Sequence, residues 1–201
     1  MKWFNFLCMC FIFFVSSCVP SAQIQNEWAA PEPKIDSTKM FQKILFVALL
    51  KDDPTRRMAE NKLVAEVKGR GVASYNYLSL ADTRSNESLI GDRLRQDGFD
   101  GVVVMRFAEV DKSKSYTGGS YPSYYNSWYG YYSSTYPAYS DPKYFSPGGF
   151  YTIETNVYSL QKNKLVWTGV TSAVNITDIN KMLDHVISMI KQRMKSQGLI
   201  K

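Results

Sequence analysis

Between residues 44 and 107 the chain switches repeatedly between two hydrophobic periods, and that alternation restricts the fold more than any other feature. Ile44, Leu45, Phe46, Val47, Ala48, Leu49 and Leu50 form an unbroken apolar run of strand length, the pattern of a strand covered on both faces. Asp52-Asp53-Pro54 then changes the period. Asp53 is the expected N-cap, with Pro54 at the first helical position, where its missing N–H costs nothing. The expected helix carries Ala59, Leu63 and Val67 on one stripe, runs to about residue 70 and stops at Gly69 or Gly71. Residues 72–78 read as a second strand. Ser85 or Asn86 caps a second helix with Leu89, Ile90 and Leu94 on its apolar stripe, which ends at Gly98; residues 101–107 are a third strand. Right-handed crossovers then predict an α/β fold with a three-stranded parallel core and two packed helices.

The second half adds an α+β extension. Residues 150–160 alternate, with Tyr151, Ile153, Thr155 and Val157 on one face and Thr152, Glu154 and Asn156 on the other, which predicts a half-exposed strand. Gln161-Lys162-Asn163-Lys164 makes a hairpin loop, and residues 165–174 return antiparallel. Ile179, Met182, Leu183, Val186, Ile187, Ile190 and Met194 then form one apolar stripe at helical spacing, a final amphipathic helix capped by Thr177 or Asp178 and closed by Gly198.

Ahead of the domain lies an address. Lys2 supplies a minimal positive region, and the apolar run from Trp3 to Val15 is interrupted only by Asn5 and is too short to span a bilayer as a permanent helix. Val15-Ser16-Ser17-Cys18 has the form of a bacterial lipobox: small residues let a signal peptidase close on the backbone beside a diacylated thiol. Residues 1–17 are thus a signal peptide and Cys18 the lipidated first residue of the mature chain. Cys8 and Cys10 leave with the signal, so no disulfide or thiolate metal site remains. Residues 18–42, broken by Pro20, Pro31 and Pro33, read as a flexible tether, and residues 43–198 as a single domain. Val19, with no Asp after the cysteine, fits onward transport to an outer membrane, facing the periplasm.

One stretch separates this chain from a plain α/β domain. Residues 113–149 form a tyrosine-rich insert; 11 of the 14 tyrosines fall between Ser113 and Tyr151, among serines, glycines and prolines. A connection of that length is either a low-complexity excursion or a functional surface. In the second reading Tyr124, Tyr125, Trp128, Tyr129, Tyr131 and Tyr132 stack on sugar rings or on other chains, because tyrosine offers an apolar face and a polar tip at low rotamer cost.

Catalytic chemistry has little foothold. His185 is the only histidine and lies beside the stripe of the last helix, with no nucleophile motif and no metal-spaced cluster. No catalytic residue, metal or cofactor is expected. Arg56-Arg57 could hold an anion, and Asp52-Asp53 a cation, beside the simpler reading of a capped first turn. The formal charge of +6 is spread without a lysine or arginine block, so a nucleic-acid partner is not expected.

The order of elements, with Asn156 to Gly169 (NVYSLQKNKLVWTG), resembles the α/β half-domain of envelope lipoproteins related to the curli-secretion and penicillin-binding-protein-activator families. It is also similar to small lipoproteins in which a Tyr/Gly-rich insert precedes an LVW-x-G hairpin. The resemblance implies a late hairpin beside a three-stranded parallel core. The expected function is that of a non-catalytic, membrane-anchored envelope lipoprotein that binds an envelope protein or glycan, with its oligomeric state open. The alternative is a small envelope hydrolase or transferase whose active site the residue pattern does not reveal.

Overall fold

The computed structural model describes residues 22–30, 41–50, 52–78, 82, 87–109, 126–139, 151–173, 178–196, 198 and 200. Its strands are β1 (Ala22–Ala29), β2 (Ile44–Leu49), β3 (Gly71–Ala73), β4 (Gly101–Glu109), β5 (Tyr151–Ser159) and β6 (Lys164–Ala173). Its helices are α1 (Asp53–Ala65), α2 (Glu87–Gln96), α3 (Trp128–Tyr139) and α4 (Ile179–Ser196). The strands form one mixed sheet in the order β1-β6-β5-β4-β2-β3. β2 is parallel to β3 and β4, and every other pairing is antiparallel. The three strands expected to run parallel, β3, β2 and β4, are one end of a six-stranded mixed sheet, which continues because β5 pairs antiparallel with β4 along all nine of its residues.

Helices cover both faces, which is why β2 is apolar throughout. Ile44, Phe46 and Ala48 join the core beneath α1 and α4, with Leu63, Val186 and Ile190. Leu45, Val47 and Leu49 join the opposite core, with Ile90 and Leu94 of α2 and Trp128 and Tyr131 of α3. The α4 stripe is buried from Met182 to Met194 as its spacing requires. Gly98, at φ +80°, turns the chain out of α2 in the left-handed region that a side chain rarely adopts.

Several local expectations change. The α1 cap is Asp52 rather than Asp53: its extended backbone lets the carboxylate accept from the Thr55 N–H at 2.9 Å, and α1 ends at Ala65, short of residue 70. Strand β3 stops at Ala73 and bends into a 3-10 turn (Ser74–Asn76) instead of running to residue 78. Leu89 is 67% exposed and leaves the α2 stripe, whose buried members are Ile90 and Leu94 with Gly91. The hairpin strand is not half-exposed: Glu154, Thr155 and Asn156 are all buried, because the sheet is covered on both sides.

The tether reading of residues 18–42 is corrected over Ala22–Ala29. This polar segment is the edge strand of the sheet, antiparallel to β6, with a register shift between Ile24 and Asn26. Its order comes from backbone pairing and a few side chains: Gln25 Nε2 donates to Ser172 Oγ at 2.9 Å and Arg193 Nε to Glu27 Oε2 at 2.5 Å. Composition alone hides such a strand, since β6 satisfies its main-chain groups. Cys18 lies outside the described residues.

Candidate functional site

Strand order reverses at β2: the chain passes from β2 outward to β3, then crosses to β4 on the other side. In open α/β sheets the carboxyl ends of strands at such a point diverge into a crevice. Polar side chains concentrate there.

Glu60 is the centre of the arrangement. It sits on the inner side of α1, four residues before Val64 and seven before Val67, and is fully buried. Its Oε1 accepts from the Ala48 N–H at the end of β2 (3.0 Å) and from the Ser74 hydroxyl (2.6 Å), while Oε2 accepts from the Tyr75 N–H (3.1 Å). Arg56, one turn earlier on α1, places its Nε 3.4 Å from Oε1. A carboxylate has about four acceptor positions. With three donors and a guanidinium around it, Glu60 clamps α1 to the end of β2 and to the turn after β3.

From the other face of the sheet, α3 brings Tyr132 and Tyr136, with ring centroids 5.2 Å apart. Burial pushes the Tyr132 phenol well above its ordinary range; Tyr136 adds to the rise and Arg56 opposes it. Tyr129 donates its hydroxyl to the Asp82 carbonyl at 3.0 Å, and its phenol is also raised, first by burial and then by Asp82 and Glu87. The Asp82 carboxylate pairs with Arg93 at 3.1 Å, and Arg93 stacks 5.1 Å above the ring of Tyr77. Tyr77 bonds Asp97, and its phenol is pushed up to about 12 by burial first and by Asp97 second. These phenols keep their protons at neutral pH, and those of Tyr77 and Tyr129 donate hydrogen bonds. A second polar group crosses β4 and β5: Arg106 pairs with Glu154 at 2.6 Å, Asn156 donates to Glu154 at 3.0 Å, and the guanidinium lies 5.7 Å from the Tyr131 ring centroid.

The residues expected to carry binding are divided by this geometry. Trp128, Tyr129, Tyr131 and Tyr132 do not form an exposed stacking platform. They lie in α3 with 2%, 6%, 0% and 5% of their surface exposed, packed on β2, β4 and β5. The correction has a simple cause: a helix covering an apolar sheet face buries its aromatic side wherever its serines and threonines are placed. Tyr124 and Tyr125 lie outside the described residues. Arg57 is taken up by Asp53 at 2.7 Å and by the Tyr75 ring, and Asp52 by its cap, so the first turn of α1 is internally paired. His185 is exposed on α4. Among the described residues no three His, Cys, Asp or Glu side chains converge as a metal site, and no helix is long and apolar enough to cross a membrane.

The apolar stripe of Ala59, Leu63 and Val67 does not by itself point to Glu60. The signal was present: Glu60, Leu63, Val64 and Val67 stand at intervals of 0, 3, 4 and 7, so an acid occupies a core position. A charge there is retained only where donors meet it.

No protein-family model and no curated protein matches the chain. Solved structures do. A PelC dodecamer from Paraburkholderia phytofirmans is 7% identical, with a TM-score of 0.44 over 90% of this chain and 99% of that one. A single-substitution form of the same protein is 8% identical, with a TM-score of 0.43 over 89% and 98%. Lipoprotein GNA1162 from Neisseria meningitidis is 10% identical, with a TM-score of 0.39 over 77% and 96%.

Proposed function

We propose that this chain is a non-catalytic envelope lipoprotein, anchored through acylated Cys18 and binding another envelope protein or glycan through its domain surface. One observation carries the reading: an apolar run ending in Val15-Ser16-Ser17-Cys18, after which no further cysteine occurs. Two or three acyl chains hold a protein to a bilayer without help, at about 0.8 kcal/mol per buried methylene. The state of the polar groups supports the non-catalytic part. Glu60 accepts three hydrogen bonds from within the fold, and the raised phenols of Tyr77, Tyr129 and Tyr132 are protonated at neutral pH. Val19 after the cysteine supports an outer-membrane destination facing the periplasm.

The test is metabolic labelling with a clickable fatty acid in wild type and Cys18→Ser. Label on the wild type alone is expected, and equal label on both would refute the anchor. Affinity capture from detergent-solubilised envelopes, beside a broad hydrolase screen of the lipid-free chain, tests the rest. A retained envelope component with no turnover is expected, and turnover abolished by a single substitution would refute the non-catalytic reading.

A further inference from the structure

We infer that the domain stands end-on against the bilayer, with the carboxyl end of β2 and β4 facing the headgroups. The inference rests on the acylation of Cys18 proposed above and adds an orientation to it. Ala22 pairs with Ala173, Ala173 with Tyr151, and Tyr151 with Glu109, so one row across β1, β6, β5 and β4 marks a single end of the sheet. The candidate crevice lies at that end. So do the first turns of α1 and α2, since each helix runs back along the sheet between parallel strands. α4 begins there too: Lys62 of α1 meets Asp184 of α4, and Glu66 meets Lys191 further along, so the two helices run in the same direction.

Chain length decides how far this end can move from the membrane. Three residues, Val19 to Ser21, separate the anchor from β1. Four Cα steps of 3.8 Å limit that reach to about 15 Å. β4 and β5 have nine residues each, which at about 3.3 Å per residue is roughly 30 Å of sheet. The opposite end, with the β5–β6 turn and its exposed Gln161 and Lys162, therefore cannot be the one that touches the bilayer while the anchor is inserted. Lysines at that far end favour anionic lipid, but screened attraction of about 1 kcal/mol per charge does not outweigh the acyl chains.

Two ways of resting remain: on the end of the sheet, or along its β1 edge. The edge presents Gln23, Gln25, Asn26 and Glu27 and a row of strand main-chain groups at the margin of the sheet, with Trp28, 37% exposed, near its far end. The end presents Leu89, at 67% the more exposed of the two exposed large hydrophobic side chains among the described residues, on the first turn of α2. A lipid surface covers Leu89 only in the end-on pose, because α2 packs on the β2–β4 side of the sheet, away from β1.

The test uses the full acylated chain in vesicles of phosphatidylethanolamine and phosphatidylglycerol containing a headgroup-linked quencher lipid. Cys18 is consumed by acylation, so single cysteines at exposed positions take the fluorophore alone: Leu89→Cys, Ala29→Cys at the far end of β1, and Gln161→Cys. Loss of emission at position 89 with emission kept at 29 and 161 is the expected result. Quenching at 29 but not at 89 would mean edge-on docking and would overturn the inference, as would quenching at 161. No quenching at any site, with diacylated Cys18 seen by mass spectrometry, would overturn the orientation and leave the lipoprotein reading standing. Absence of acylation would remove both.

Discussion

Replacing Glu60 by alanine measures what the buried carboxylate does. The substitution removes the only acceptor given to the Ala48 and Tyr75 N–H groups and to the Ser74 hydroxyl among the described residues, at a site with no exposed surface. The hydroxyl can rotate toward a new partner; the two main-chain donors cannot. Each buried donor left without a partner costs about 1–3 kcal/mol, so Glu60→Ala is expected to cost roughly 2–6 kcal/mol. For a domain of this size each kcal/mol lowers Tm by about 2–4 °C, which places the fall at roughly 4–24 °C. Glu60→Gln is the graded control. Its retained oxygen can still serve Ala48 and Ser74, while its amide nitrogen meets the Tyr75 N–H donor to donor, so roughly half the loss is expected. The assay is urea unfolding of the lipid-free chain, residues 18–201 carrying Cys18→Ser, with exchange of the Tyr75 amide followed separately. Ser74→Ala in each background completes a double-mutant cycle, and a coupling of about 1 kcal/mol is expected between directly bonded side chains. A Glu60→Ala loss below about 1 kcal/mol, or Gln as damaging as Ala, would refute the clamp.

The aromatic side of α3 belongs to the core, so Trp128→Ala and Tyr131→Ala are each expected to cost about 3–5 kcal/mol in the same unfolding assay. Replacing residues 113–147 by a short linker deletes α3 and should produce a larger loss than either. Gly169→Ala puts a Cβ 2.4 Å from Trp167 Cη2, which forces the indole out of its buried seat at a cost of about 1–3 kcal/mol, read as a red shift of tryptophan emission and a lower Tm. A chain beginning at residue 39 loses β1 and bares the edge of β6; light scattering should show it aggregating where a chain beginning at Ala22 stays monodisperse. The Tyr77 phenol is raised from 10.0 to about 12 in the fold, so its contribution is complete below pH 10 and lost as pH climbs to 12. Partial solvation reduces that contribution to about 1–2 kcal/mol, and Tyr77→Phe should flatten the unfolding curve over that window by this amount.

Where a residue's surroundings follow from its neighbours in the chain, the fold is legible from residue order alone. β2 is readable because coverage on both faces demands an unbroken apolar run, and α4 because coverage on one face demands a stripe at 3.6 residues. The rest depends on contacts between segments far apart in the chain. β1 has no apolar period; its main chain finds partners in β6, some 140 residues away, and backbone hydrogen bonds leave no mark in side-chain pattern. The six-stranded sheet order follows from that pairing and from β5 joining β4. The rings of α3 are recognisable as aromatic in the sequence, but their burial depends on the sheet face that α3 meets. Glu60 shows the same limit at the site itself. A carboxylate in an apolar stripe is unstable alone, and it becomes the point joining α1, β2 and the turn after β3 only when folding brings three donors to it.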